Sequence, residues 1–205
     1  MSVLNWLYKG LNYIYVKSCN NMFIILFKIQ LKLNKIIYGK NLKTYGGIPM
    51  LKISRGADKI IIGNNVTFNN YHNTSWFCKC FVAVSPGARL SIGNNTGMNG
   101  VMIYCSKSIT IGNHVNIGGG TKIYDTNFHS IFWQYRRNSK DDILNTKKAE
   151  VIIEDDAFIG TNCIIGKGIT IGARSIIGAG SVVTCNIPSD EIWAGNPAKF
   201  IKKIV

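Results

Sequence analysis

Aliphatic side chains recur at every sixth position toward the C-terminus of the chain. Ile or Val fills the first place of six consecutive units, and Gly fills the second place in four of the five complete ones. The fifth place is always small or β-branched. The units begin at Ile153, Ile159, Ile165, Ile171, Ile177 and Val183. The same frame occurs earlier at Ile111, Ile117 and Ile123, and in weaker form at Ile62 and Ile92.

A unit of six residues is too short for a helical hairpin, but it suits a short strand and a turn with one aliphatic side chain pointing inward. Three units then form a coil of triangular section, which buries its aliphatic side chains against the neighbouring coils. Gly, Asn and Asp suit the tight corners of such a coil. The spacing predicts the stacked pairs Ile153–Ile171, Ile159–Ile177 and Ile165–Val183. The sequence therefore predicts an all-β fold, a parallel β-helix.

The N-terminal segment, residues 1–45, lacks this repeat. Lysines interleave there with apolar and aromatic residues, and residues 1–60 contain ten Lys or Arg against one acid, Asp58. We expect this segment to be partly helical. It either packs on the main domain with its lysines in solvent or lies on an anionic membrane surface. The β-helix is expected over residues 46–187, and a tail with a short helix over residues 188–205.

The composition points to anionic partners. The 205 residues are enough for one domain, and 24 Lys or Arg against 10 Asp or Glu leave a net charge of +14. Neither a basic reading helix nor an RNA-binding signature is present, so we expect no nucleic acid. No secretory signal or long uncharged apolar run is evident, and the six cysteines are expected to be reduced. Cys78 and Cys80 are too closely spaced for a zinc pair, so no metal is expected.

The six-residue units resemble those of the hexapeptide-repeat acyltransferases. Residues 179–184 and 194–199 are similar to the end of that family's cofactor-binding region. The resemblance extends over about residues 60–205. It implies a left-handed β-helix, a homotrimer with active sites between subunits, and acetyl-CoA as cosubstrate.

The repeat is interrupted over residues 124–150, where a long loop is expected to leave the coil. Such loops commonly carry function. A hydroxyl group needs a base before it can attack a thioester, and histidine suits that role. Residues 125–130 resemble the family's catalytic-histidine loop, so we expect His129 to be the general base of a direct attack on acetyl-CoA. The alternative is a loop histidine without a role; His72 has no comparable support, and His114 is expected to be a solvent-facing corner residue.

Five further residues are candidates for binding the acceptor. In relatives an Asn one or two coils before the histidine often lies in the acceptor pocket, as Asn99 would; otherwise it is a corner residue. Asp125 either orients His129, binds a sugar hydroxyl or caps a turn. Trp133 and Arg137 would contact a saccharide or a neighbouring subunit. The candidates are Asn99, Asp125, Asn127, Trp133 and Arg137.

The resemblance also carries over a set of cofactor contacts. They are Gly160, Thr161, Ala179, Thr184, Cys185 and Lys202, with Lys199 and Lys203 as further candidates for the phosphates. Two positions depart from the family pattern. Many relatives have Trp where Phe158 stands and a basic residue where Cys185 stands, which puts the phosphate contacts in doubt.

The combination of a basic, aromatic N-terminus with this histidine loop most resembles the acetyltransferases of polysaccharide biosynthesis, and also the maltose- and xenobiotic-type enzymes. We expect O-acetylation of a saccharide in capsule, lipopolysaccharide or exopolysaccharide assembly, in the cytoplasm or at the inner face of the membrane. The alternatives are N-acetylation of an amino sugar and O-acetylation of an antibiotic. A non-enzymatic assembly module of the carbonic-anhydrase type is less favoured, because the three histidines lack the spacing of that branch.

Overall fold

The chain forms a stack of triangular coils that follows one long helix. The computed structural model describes residues 3–70 and 79–204, with side chains from residue 11 onward. His72 and Cys78 therefore lie outside the described residues. Three parallel sheets form the three sides of the stack, and the arrangement is the predicted left-handed parallel β-helix.

Each coil contributes one short strand to each sheet. Sheet 1 contains β1 (Ile37–Tyr38), β4 (Lys59–Ile62), β7 (Arg89–Ile92), β10 (Ser108–Ile111), β13 (Val151–Ile153) and β16 (Thr170–Ile171). Sheet 2 contains β2 (Lys43–Tyr45), β5 (Thr67–Asn69), β8 (Gly97–Asn99), β11 (Asn116–Ile117), β14 (Phe158–Ile159), β17 (Ile176–Ile177), β19 (Glu191–Ala194) and β20 (Lys199–Lys203). Sheet 3 contains β3 (Met50–Ile53), β6 (Phe81–Val84), β9 (Met102–Cys105), β12 (Lys122–Tyr124), β15 (Ile164–Ile165) and β18 (Val182–Val183). The helices are α1 (Val3–Leu33), α2 (Trp133–Arg136) and α3 (Ser139–Asn145).

The predicted stacking register is confirmed. The paired residues are Ile153 with Ile171, Ile159 with Ile177, and Ile165 with Val183. All six side chains are buried in one continuous hydrophobic core. The core therefore runs along the axis of the stack, and the outward side chains are free for function.

Asparagines hold the corner between sheets 1 and 2. The backbone N–H of Asn64 donates to Oδ1 of Asn94 (2.7 Å), and that of Asn94 donates to Oδ1 of Asn113 (2.8 Å). The backbone N–H of Asn113 donates in turn to Oδ1 of Asp155 (2.7 Å). The next residue in each coil has a φ between 55° and 61°, which Asn and Asp tolerate better than most residues. These residues are Asn41, Asn65, Asn95, His114, Asp156, Arg174 and Asp190, so His114 is the expected corner residue.

α1 packs against the first coils. Phe27 and Leu31 are fully buried, and the ring of Phe27 meets that of Phe68 edge-on at a centroid distance of 5.4 Å. The first strand begins at Ile37, so the coils start before residue 46. Among the described residues, no helix has the length and hydrophobicity needed to cross a membrane.

The predicted short C-terminal helix is wrong, because residues 188–205 contain a β-hairpin instead. β19 extends sheet 2 beside β17, and β20 pairs antiparallel with β19. Gly195 and Pro197 interrupt any helix between the two strands. The rings of Trp193 and Phe200 then meet across the hairpin at 6.1 Å, and the pairing supplies partners for the open edge of β19.

Candidate active site

The predicted loop leaves the stack after β12 and returns at β13. Its two ends are tied together, since the N–H of Ala149 donates to the carbonyl of Asp125 (3.0 Å). The N–H of Asn127 donates to the carbonyl of Lys147 (3.1 Å), beside an antiparallel bridge between Thr126 and Lys148. The loop is therefore a closed stem that carries α2 and α3 at its outer end.

Asp125 anchors the base of this stem. The residue is fully buried, and its carboxylate accepts hydrogen bonds from the backbone N–H groups of Ser106 (2.6 Å), Lys107 (2.7 Å) and Ser108 (2.7 Å). Of the three roles expected for Asp125, the structure assigns it the capping of a turn. It fixes the stem to the preceding coil.

Phe128 directs the chain outward immediately before the histidine. Its φ is 62°, a left-handed conformation that is uncommon for a large side chain. Its ring packs on Tyr104 and Tyr124 at centroid distances of 4.8 and 5.3 Å. Strained residues of this kind persist only where surrounding contacts enforce them, often at functional sites.

His129 forms a dyad with Asp142 of α3. Nδ1 of His129 lies 2.6 Å from Oδ2 of Asp142, and Oδ1 of the same carboxylate accepts the N–H of Ser130 (2.7 Å). These hydrogen bonds, that of His129 first, lower the pKa of Asp142 below its ordinary value. An ionised carboxylate only accepts, so the proton of the neutral ring resides on Nδ1 and Nε2 keeps its lone pair. The histidine side chain is 70% exposed while that of Asp142 is 12% exposed, so the ring can meet a ligand from solvent.

Helix capping places Asp142 beside the histidine. The side chain of Asn138 accepts the N–H groups of Lys140 (2.9 Å) and Asp141 (3.4 Å), which starts α3 at a defined residue. Thr146 donates its hydroxyl to the carbonyl of Asp142 (2.6 Å) at the other end. Sequence reasoning missed Asp142, which lies 13 residues after His129. The Asn138 cap before an Asp-Asp pair was the only signal available.

A cleft of about 420 Å³ lies between the loop and the preceding coils, lined by residues adjacent in sequence to the dyad. Phe128 and Ile143, the chain neighbours of His129 and Asp142, contribute to its wall together with Tyr104. Aromatic faces and hydroxyl groups are the usual partners of sugar rings and sugar hydroxyls. The residues with hydroxyl groups that line the cleft are Ser85, Tyr104, Ser106, Thr126 and Thr146.

The other acceptor candidates lie at different places. Trp133 and Arg137 lie at the outer end of the loop, where the guanidinium carbon lies 4.2 Å from the centre of the indole ring. Asn127 belongs to the stem, and its carbonyl accepts the N–H of His129 (2.7 Å). Asn99 ends β8 in sheet 2 and lines a separate groove of about 290 Å³ together with Phe158.

The cofactor candidates occupy three separate parts of the last coils. Gly160, Thr161 and Ala179 lie at the corner between sheets 2 and 3, where a Cβ on Gly160 would lie 2.6 Å from the backbone nitrogen of Ala179. Thr184 and Cys185 are exposed where sheet 3 turns toward sheet 1, at the corner from which the loop of residues 125–150 leaves two coils earlier. Lys199 and Lys202 are exposed on β20.

The buried cysteines are unsuited to chemistry in this part of the molecule. Burial raises the pKa of Cys80 to about 11. Burial, followed by the nearby charge of Asp125, raises the pKa of Cys105 to about 12. Burial also raises the pKa of Cys163. Over residues 3–70 and 79–204, no group of three or more His, Cys, Asp or Glu could hold a metal ion.

Comparison with known proteins agrees with the repeat and the fold. The family described as hexapeptide repeat of succinyl-transferase matches residues 150–185. The chain is 31% identical over 106 residues to gamma carbonic anhydrase 2, mitochondrial, from Arabidopsis thaliana, covering 45% of this chain and 37% of that protein. It is 59% identical over 54 residues to the 2,3,4,5-tetrahydropyridine-2,6-dicarboxylate N-acetyltransferase of Halalkalibacterium halodurans, covering 26% of this chain and 22% of that enzyme.

A solved structure is similar to a longer part of this chain. It is a hexapeptide-repeat-containing acetyltransferase from Vibrio cholerae, with a TM-score of 0.52 and 37% identity, which covers 57% of this chain and 63% of that one. The chain spans well under half the length of the two curated relatives. The predicted resemblance to hexapeptide-repeat proteins is confirmed in both repeat and fold.

Proposed function

We propose that this protein is an acetyl-CoA-dependent acyltransferase that moves an acetyl group to a hydroxyl of a saccharide. His129 is the general base and Asp142 its positioning residue. The observation that carries the proposal is the 2.6 Å contact between Nδ1 of His129 and Oδ2 of Asp142 on a loop beside a cleft. Two of the similar proteins bear the name acetyltransferase, which supports the reaction class.

The dyad performs the proton transfer. Nε2 of His129 takes the proton of the acceptor hydroxyl as its oxygen attacks the acetyl carbonyl. The charge of Asp142 stabilises the imidazolium that forms, and the ring then passes this proton to the departing thiolate, which leaves as the free thiol. Acetyl-CoA, when bound, supplies an acetyl thioester with a thiolate leaving group. The acetyl group passes directly from the thioester to the acceptor, so no covalent acetyl-enzyme intermediate is needed.

The cleft beside the dyad supports a saccharide acceptor. The rings of Tyr104 and Phe128 offer faces for the C–H side of a sugar, and hydroxyl groups such as those of Ser106 and Thr126 offer hydrogen bonds. Lys148 adds a cation at the stem. A carboxylate- or phosphate-bearing sugar would suit this position.

The cofactor residues are assigned by the same proposal. Gly160, Thr161 and Ala179 would border the pantetheine arm, and Thr184 and Cys185 would lie nearer the thioester end. Lys199 and Lys202 would face the phosphates. The net charge of +14 is consistent with an anionic cosubstrate.

A homotrimer completes the proposed site. On one protomer, Asn99 lines a groove on sheet 2, whereas the dyad projects from the corner after sheet 3. A neighbouring protomer would be needed to bring an acceptor contact such as Asn99 or Phe158 to the dyad. We further propose that the enzyme acts in the cytoplasm or at the inner face of the membrane. Its pathway would be the assembly of a capsule, a lipopolysaccharide or an exopolysaccharide.

An N-acetyltransferase is the second candidate. The segment with 59% identity belongs to an enzyme named as an N-acetyltransferase, although it spans only 54 residues. An amino sugar or an amine-bearing xenobiotic would then be the acceptor. A hydroxyl-bearing antibiotic remains the other small acceptor of this class.

Thiol release from acetyl-CoA tests the proposal against a panel of mono- and disaccharides, amino sugars and antibiotics. We expect turnover on a hydroxyl acceptor that falls at least about 100-fold in His129→Ala, with fold and subunit mass unchanged. Turnover confined to amines would favour the second candidate. Full activity of His129→Ala would overturn the assignment of the base. No turnover on any acceptor, with zinc bound and carbon dioxide hydrated instead, would favour the carbonic-anhydrase type.

A further inference from the structure

α1 presents a second apolar face on the side opposite its packing contact. Phe27 and Leu31 are buried against the coils, and Ile24 is partly buried beside them. On the opposite side, exposed residues recur at intervals of three or four positions, and all of them are apolar except Ser18. They therefore occupy about a third of the helix circumference. This apolar face of α1 consists of Leu11, Ile14, Tyr15, Met22, Ile25, Leu26, Ile29 and Leu33, each at least 43% exposed.

Basic residues lie along one side of this face. Lys17, Lys28 and Lys32 are exposed on the same helix, and α1 contains no Asp or Glu. Apolar side chains flanked by lysines without acidic partners match the hydrocarbon boundary and the anionic headgroups of a lipid surface.

A second copy of the chain would fit the same face less well. Two such helices packed antiparallel would bring their lysines together, and in either orientation neither helix has a carboxylate to pair with them. Like charges along a helix seam oppose association. The charge pattern therefore favours lipid over a second copy.

We propose that the apolar face of α1 lies in the headgroup region of an anionic membrane and anchors the β-helix there, with Phe27 and Leu31 as the link to the coils. This face of α1 would be the surface that makes the membrane contact proposed above. It concerns binding alone and stands independently of acyl transfer.

Co-sedimentation with vesicles tests the anchor. The full chain is expected to bind vesicles of phosphatidylglycerol and phosphatidylcholine but not vesicles of phosphatidylcholine alone. The double variant Ile25→Ser/Ile29→Ser should bind at least tenfold more weakly. Lys28→Gln should weaken binding about fivefold, because a lysine near an anionic surface contributes about that factor.

The control is Asn12→Ser/Asn21→Ser, which changes two exposed polar residues of α1 outside the apolar face. It should bind like the wild type, and circular dichroism and subunit mass should be unchanged in every variant. Absence of wild-type binding, or equal binding by Ile25→Ser/Ile29→Ser, would overturn the proposal. A loss of subunit association in that variant without any vesicle binding would assign the face to a second copy instead. Thiol release that fails while vesicle binding behaves as expected would overturn the proposed enzyme and leave the anchor standing.

Discussion

The proton of His129 is positioned by a single carboxylate oxygen. In Asp142→Asn the amide oxygen can still accept the N–H of Ser130, which leaves an N–H₂ group facing Nδ1. The ring would then carry its proton on Nε2, and the base would be lost. We expect kcat to fall about 10²- to 10⁴-fold with little change in KM for acetyl-CoA, as measured by thiol release.

Asp141→Asn is the matched control for this change. Asp141 precedes Asp142 on the same helix, is exposed, and loses the same charge. Its activity should stay within about twofold of the wild type. Equal losses in the two variants would show that charge on α3 matters and that the dyad geometry does not.

Cysteine labelling distinguishes exposed from buried thiols. The raised pKa values of Cys80 and Cys105 keep them protonated at neutral pH, and burial shields them further, whereas Cys185 is exposed. Maleimide followed by peptide mass spectrometry should label Cys185 at least about tenfold faster than either buried thiol, and acetyl-CoA should slow that labelling. Rapid labelling of Cys105 in the folded protein would contradict the packing at the base of the loop.

At this scale the sequence predicts a role for His129 but does not predict its contact with Asp142. The histidine followed from its residue type, the break in the repeat and the resemblance of residues 125–130 to a known loop. Asp142 reaches it only because Asn138 starts a helix that turns back toward the stem. Such a through-space contact has no local pattern, and the same reason left the anchoring role of Asp125 open.

Among the elements, the last coils stack at backbone contact. A Cβ on Gly160 would lie within 2.8 Å of backbone atoms of Ala179 and Ile177, which can move only if the coils separate. Gly160→Ala should therefore lower the free energy of unfolding by about 1–3 kcal/mol in urea titration. Gly166→Ala is the control, since no atom lies within 4 Å of its Cβ position, and its effect should stay within about 0.5 kcal/mol. Equal losses would show that the stack does not depend on this contact.

The strands and the N-terminal helix were predictable as elements, whereas the two helices of the loop were not. Each strand repeats one inward aliphatic position, so Ile159 and Ile177 could be paired by counting alone. α2 and α3 are too short to show a helical period. The C-terminal helix failed because residues 199–203 pair with β19, and a pairing partner decides a strand where local propensity is weak.

The whole molecule should lose stability in acid in a defined way. Hydrogen bonds from Asn113 lower the pKa of Asp155, and the guanidinium of Arg174 lowers that of Asp190. A carboxyl whose folded pKa is depressed stabilises the fold above its ordinary pKa, and this contribution is lost as the pH falls through the folded value. Urea titrations at neutral pH and below the ordinary value of 3.8 should show this fall.

Asp155→Asn isolates one contribution. The amide oxygen can still accept the N–H of Asn113, so the corner ladder persists while the charge is removed. The variant should show a shallower fall of unfolding free energy in acid than the wild type. An unchanged slope would place the acid sensitivity in other groups.

The overall architecture was easier to predict than any single site, because the six-residue repeat places one strand in each of the three sheets in every coil. Its handedness came from the resemblance and not from the period. The point at which the coils begin, Ile37, could not be read from a segment without hexads, because α1 supplies the burial that the first strands need.

Because the loop after β12 is closed at its base, the dyad lies on a segment that the β-helix itself does not need for its coils. β12 and β13 belong to consecutive sides of the stack, and the equivalent turn one coil later, residues 166–168, needs only three residues between Ile165 and Ile169. A chain in which residues 125–150 are replaced by such a turn should still coil, without its dyad. Conversely, a different hairpin inserted at the same corner would inherit a rigid support, with the proposed cofactor contacts Thr184 and Cys185 two coils further along the same corner. In the proposed enzyme, the acceptor specificity could therefore change through this loop alone, while the hydrophobic core of the stack stays the same.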